Sequence, residues 1–143
     1  MRSSLPKVLH PLAGKPLIAY SLRLARQLGS ADPVVIIGHG ADQVRQAVGS
    51  AARFALQQPQ LGTGHAVQQA EALLAGQDGL VLVMSADMPL LTYATLRALV
   101  DLQHANPGPL SMLSMLLDDS HGFGRVVRAA DGSVAEVVEA AQA

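Results

Sequence analysis

Four consecutive β-branched residues, Val34-Val35-Ile36-Ile37, stand between Pro33 and Gly38. So short and so bounded an apolar run predicts a parallel strand buried on both faces, and such a strand forces its neighbours to be crossover helices. The flanking sequence supplies them. Leu17, Ile18, Leu22, Leu24, Ala25 and Leu28 recur at near-helical spacing after Pro16 and are closed by Gly29, predicting a helix over 16–28. A short helix over 41–48 turns Val44, Ala47 and Val48 inward, and Arg53 to Leu56 is a weaker strand candidate. Thr63 is positioned to cap a helix over 65–74. The strongest strand pattern runs over 79–85, and Thr92 then opens a helix to about 104 that buries Leu96, Leu99, Val100 and Leu102. A further strand is expected over 110–117. Arg125 to Arg128 and Val134 to Val138 flank Asp131-Gly132, a hairpin signal. The expected class is α/β, a mostly parallel, doubly wound sheet with helices on both faces, forming one domain or part of one. Ligands of such sheets bind at the carboxyl ends of the strands.

Half of the 143 residues are apolar and 15% are charged, which argues against disorder. A formal charge of −1 offers no basic field for nucleic acid and no polybasic segment for a membrane surface. The absence of cysteine excludes a disulfide scaffold, a thiol nucleophile and a Cys-ligated zinc, and fits a reducing compartment. Apolar stretches fall short of the roughly 18 residues of a spanning helix. Lys7, Pro11, Lys15 and Pro16 interrupt any signal-peptide core, so a soluble, cytoplasmic chain is expected.

Four segments could carry chemistry. Asp87, in Ser85-Ala86-Asp87-Met88-Pro89, follows the best strand and faces the expected crevice; it reads as a functional carboxylate, chiefly a Mg²⁺ ligand, or as an Asx turn before Pro89. Gln57 to Ala66 carries the loop Gly62-Thr63-Gly64 at a helix start, where bare N–H groups suit anions or carbonyl oxygens; alone it reads as a cap, with His65 a structural residue. Lys7 and Lys15, the two lysines of the chain, lie in a Pro/Gly-bearing loop, and an ammonium there could neutralise phosphate oxygens or simply be solvated. Gly122-Phe123-Gly124 opens a strand and Glu139 follows the hairpin, a pattern that suits a sugar ring as well as a bulged turn and a surface carboxylate.

In this order and at these distances, Leu5-Pro6-Lys7-Val8-Leu9-His10-Pro11-Leu12-Ala13-Gly14-Lys15-Pro16, Gln60-Leu61-Gly62-Thr63-Gly64-His65-Ala66, Ala86-Asp87-Met88-Pro89-Leu90 and Gly122-Phe123-Gly124-Arg125-Val126 resemble one family from end to end. It is the uridyltransferase domain of the bifunctional bacterial N-acetylglucosamine-1-phosphate uridyltransferase/glucosamine-1-phosphate acetyltransferases. The resemblance implies transfer of a uridylyl group from UTP to N-acetylglucosamine 1-phosphate, giving UDP-N-acetylglucosamine, a cell-envelope precursor, and pyrophosphate with Mg²⁺. It makes Lys7 the phosphate-contacting lysine and Asp87 the metal-holding aspartate. Gln57 would read the uracil edge, with Gly62 and Thr63 beside it. Ser85 and Ala86 would line the nucleotide site, although a glycine is usual at Ala86. Gly124 and Glu139 would surround the N-acetylglucosamine ring. Such in-line transfer needs charge neutralisation and alignment rather than a protein nucleophile.

The family begins with a strand and a glycine-rich loop, and this sequence starts at the Met of that loop. It stops before the second metal-ligating asparagine and the β-helix that carries the acetyltransferase and builds a homotrimer. From the sequence, the strands at 34–37 and 80–85 are therefore expected to lack a shared neighbour, with marginal stability or aggregation and impaired turnover. The alternatives are a related sugar-phosphate nucleotidyltransferase and a non-catalytic module that binds a nucleotide sugar or a partner.

Overall fold

The computed structural model describes residues 3–106, 108–119 and 122–138 of the chain. Helices and both parallel and antiparallel strands make it α/β. It divides into two compact units, Met1–Ala105 and Asn106–Ala143.

The first unit opens with a 3₁₀ turn, Lys7–Leu9, and a tight antiparallel pair, β1 (Pro11–Leu12) and β2 (Lys15–Pro16). Both residues of the connecting turn have positive φ, Ala13 at 48° and Gly14 at 77°, as a two-residue type I′ hairpin demands. Helix α1 (Leu17–Gln27) follows and buries Ile18, Ser21, Leu22, Leu24 and Ala25 on one stripe. It ends as its glycine foretold: the Gly29 N–H donates to the Arg26 carbonyl and the Ser30 N–H to that of Ala25, a paired C-terminal closure.

Strand β3 (Val34–Ile37) pairs in parallel with β4 (Arg53–Leu56) through helix α2 (Ala41–Val48). Ile18, Leu22, Ile37, Val44, Val48 and Ala52 form the core between these elements. Arg45 of α2 lies over Phe54 of β4, its guanidinium 5.0 Å from the ring centre. Val34, Val35 and Ile36 are only half-buried and Ala47 is exposed, less enclosure than the pattern implied. Among the described residues β3 has one strand neighbour, so its second edge is not enclosed as it would be inside a wider sheet.

The helix expected over 65–74 is two, α3 (Thr63–Gln68) and α4 (Glu71–Leu74). The cause is local: the Gln69 side chain takes the His65 carbonyl (3.0 Å), and the Gln69 backbone N–H turns to Ala66 instead. Thr63 is the first helical residue rather than the cap, which is Gly62. Helix α5 (Tyr93–Ala105) starts as expected, Thr92 Oγ1 accepting from the Thr95 N–H at 3.2 Å. Leu96 is its one fully buried side chain, while Leu102 is exposed.

The segment 79–85 joins no ladder among the described residues. Its side chains nevertheless alternate, Leu82, Met84 and Ala86 half-buried against exposed Val81, Val83 and Ser85. The chain is extended as expected, but a strand also needs a hydrogen-bonded neighbour, and none lies alongside among the described residues. The strand expected over 110–117 in the second unit likewise joins no ladder among the described residues, and Leu110, Leu113, Met115 and Leu116 are exposed there. That unit contains the expected hairpin, β5 (Arg125–Arg128) against β6 (Val134–Val138), with a bulge beside Arg128. Asp131 shapes the turn by accepting from the N–H and hydroxyl of Ser133 at 2.9 and 2.7 Å.

Candidate functional site

Lys7 reaches its position through backbone packing. Pro6 is buried against Gly40, and Val8 and Leu9 pack on the core, so the 3₁₀ turn is anchored on both sides of an exposed lysine. Gly40 has φ +64° and a Cβ there would lie 2.4 Å from Pro6 Cγ, so glycine is required twice over.

Asp87 comes from the opposite direction. Ala86 packs against the core and the buried Ser21 of α1 donates its hydroxyl to the Ser85 carbonyl at 3.3 Å. These two tethers hold the extended segment at the point where Pro89 turns it away. Ser85 Oγ donates to Asp87 Oδ1 at 2.7 Å, and Lys7 Nζ lies 2.5 Å from Asp87 Oδ2. Lys7 and Ser85 together hold the Asp87 carboxyl below its ordinary range, outweighing a small opposing effect of burial. The carboxylate is therefore ionised at neutral pH, and the Lys7 side chain is 64% exposed, reachable by a ligand.

A second cluster lies on the loop after β4. Gln57 Nε2 donates to the Gly62 carbonyl at 2.9 Å and sits 3.2 Å from His65 Nδ1. Gly62 has φ +101° and leads into α3 behind Thr63. Thus Lys7, Ser85, Ala86 and Asp87 are drawn together, as are Gln57, Gly62 and Thr63, all within the first unit. Gly124 belongs to the second unit, just before β5, and Glu139 lies outside the described residues. Lys15 is exposed on β2.

Sequence reasoning passed over Ser21 as an ordinary member of α1 and Gln69 as one of several glutamines. Each had a signal: a hydroxyl on an apolar helical stripe, and an amide four residues after a histidine.

No group of three metal-ligating side chains occurs among the described residues. The ionised Asp87 carboxylate, 26% exposed and held by Ser85 and Lys7, is still of the kind that fits Mg²⁺, which binds through one or two carboxylates and completes its shell with water and substrate phosphates. Asp87 is the residue that would hold it.

Residues 1–141 match the model of the MobA-like NTP transferase domain. The chain is 48% identical over 139 residues to the bifunctional protein GlmU of an Exiguobacterium species, and 51% identical over 140 residues to that of Paraburkholderia phymatum. The GlmU of Geobacter metallireducens is 43% identical over 141 residues. Each match covers 97% of this chain but only 30–31% of the relative, so the chain spans about a third of the length of these proteins. The anchored Lys7–Asp87 pair and the glycine loop before α3 thus occur in a nucleotidyltransferase chain, and the protein belongs to the family of MobA-like NTP transferase domains.

Proposed function

We propose that this chain forms the nucleotide-handling part of a uridylyltransferase that joins UTP and N-acetylglucosamine 1-phosphate, releasing pyrophosphate and yielding UDP-N-acetylglucosamine. The observation that carries the reading is the Lys7–Asp87 pair, built by two segments eighty residues apart in sequence and tethered at both ends. Each charge has its counterpart in a magnesium–triphosphate: the carboxylate suits the cation, the ammonium suits the phosphates. Bound Mg²⁺ would supply charge neutralisation at the phosphates.

In the reaction an oxygen of the sugar phosphate bonds to the α-phosphorus of UTP, and the bond from that phosphorus to the bridging oxygen breaks. The electron pair leaves with pyrophosphate. Lys7 offsets negative charge on the phosphate oxygens, and Ser85 keeps the Asp87 carboxylate ionised and oriented. Gln57 and the loop at Gly62 and Thr63 receive the base.

Titration calorimetry of UDP-N-acetylglucosamine into the chain with and without Mg²⁺ tests this reading. Expected is Mg²⁺-dependent binding that Asp87→Asn abolishes. Absence of binding, or binding indifferent to both metal and substitution, overturns it.

A further inference from the structure

The carboxylate that suits a cation and the ammonium that suits a phosphate hold each other before either ligand arrives. Lys7 Nζ stands 2.5 Å from Asp87 Oδ2 and Ser85 Oγ donates to Oδ1 at 2.7 Å, so both carboxylate oxygens already carry a donor. The Asp87 side chain is also largely shielded, which leaves little open surface for a third group. A hard divalent cation binds its oxygens at about 2.0–2.1 Å, closer than the ammonium stands, so it cannot take Oδ2 without displacing Lys7 or facing a like charge at contact range.

The two partners differ in freedom. Asp87 is short and follows two tethers, the Ser85 carbonyl on Ser21 and Ala86 on the core. Lys7 has a flexible stem and is largely exposed, and the anchoring of its turn lies in Pro6, Val8 and Leu9, so its ammonium can swing away without disturbing the fold. Where it swings decides the cost. Moved into water, it loses its partner; moved onto a phosphate, it exchanges one anion for another. A phosphate that draws Lys7 away by itself leaves a bare carboxylate beside its own negative charge, unless a cation takes the vacated oxygen.

We propose that Lys7 is a displaceable stopper on the Asp87 cation site, passed from the carboxylate to a phosphate as the nucleotide binds, so that divalent cation and nucleotide bind in concert and each binds weakly alone. Such coupling is reciprocal. The inference rests on the nucleotide reading above for its second ligand, and on the ion pair alone for the stopper.

Mn²⁺ without nucleotide, followed by its electron paramagnetic resonance signal at neutral pH, is the first probe. Lys7→Met is expected to bind Mn²⁺ about threefold to tenfold more tightly than the parent chain, because no ion pair has to be broken. Asp87→Asn added to Lys7→Met should abolish that gain, and Lys15→Met, which removes the same charge at exposed β2, should not reproduce it. An unchanged or weaker Mn²⁺ affinity in Lys7→Met, a gain that survives Asp87→Asn, or an equal gain in Lys15→Met overturns the proposal. Calorimetry then gives the factor by which Mg²⁺ tightens UDP-N-acetylglucosamine binding, and this factor should shrink about threefold to tenfold in Lys7→Met. A lysine that only contacts phosphate would weaken binding equally with and without Mg²⁺, and a factor left unchanged overturns the coupling. A parent chain that binds Mn²⁺ through Asp87 but no UDP-N-acetylglucosamine overturns the nucleotide reading instead, while the Mn²⁺ comparison still judges the stopper.

Discussion

At the scale of single residues, Asp87 separates function from stability. Its partner Lys7 is largely exposed, and ion pairs of that kind contribute about 0–1 kcal/mol. Asp87→Asn should therefore shift the urea midpoint little while removing Mg²⁺-dependent ligand binding. The pH dependence has a definite sign. Because folding lowers the Asp87 pKa, the pair is intact above the ordinary carboxylate range and is lost as pH falls through the lowered value; a carboxyl ¹³C titration should find its midpoint below 3.8. Ala13 offers the opposite case, an alanine at φ 48° where the I′ turn favours glycine or asparagine. Ala13→Gly should raise unfolding free energy by about 0.5–1 kcal/mol, read from denaturant curves.

At the scale of elements, the Lys7 turn depends on a glycine more than thirty residues away. Gly40→Ala combines a positive φ with a Cβ driven against Pro6, and should cost about 1–3 kcal/mol. It should also weaken ligand binding more than its stability cost explains, since Pro6 carries Lys7. Thr92→Ala removes the cap of α5 at a cost of about 1 kcal/mol, with faster exchange of the Thr95 amide as the local readout. The legible elements were those whose signals are local. Helix α1 with its Gly29 stop, α2, the Thr92 cap and the Asp131-Gly132 hairpin all follow from residues within a few positions of one another. The break between α3 and α4 was hidden because it arises from one side chain, Gln69, competing for a backbone carbonyl.

At the scale of the whole molecule, apolar surface is the outstanding feature. Leu80, Val81, Val83 and Leu90 are exposed on the first unit, and Leu110, Met115 and Leu116 on the second. Extended, unladdered segments with exposed apolar side chains favour pairing with other chains. Sedimentation velocity should show association that rises with concentration, and Val81→Lys with Val83→Lys should suppress it. The family comparison covers the chain almost end to end, and no described helix is long and apolar enough to cross a membrane. By itself, the sequence determined the α/β class, the boundaries of most helices, the β3–β4 candidates and Lys7, Asp87 and the Gly62-Thr63-Gly64 loop as chemically suggestive, because periodicity, caps and residue type act over short distances, while Gln57 and Ser85 were singled out by the family resemblance. Tertiary structure alone decided that Lys7 meets Asp87, that Ser21 and Gly40 hold the two segments in place, and that 79–85 has the alternation of a strand without its ladder. Pairing is a property of two segments at once, and no pattern within one of them can state whether its partner lies alongside.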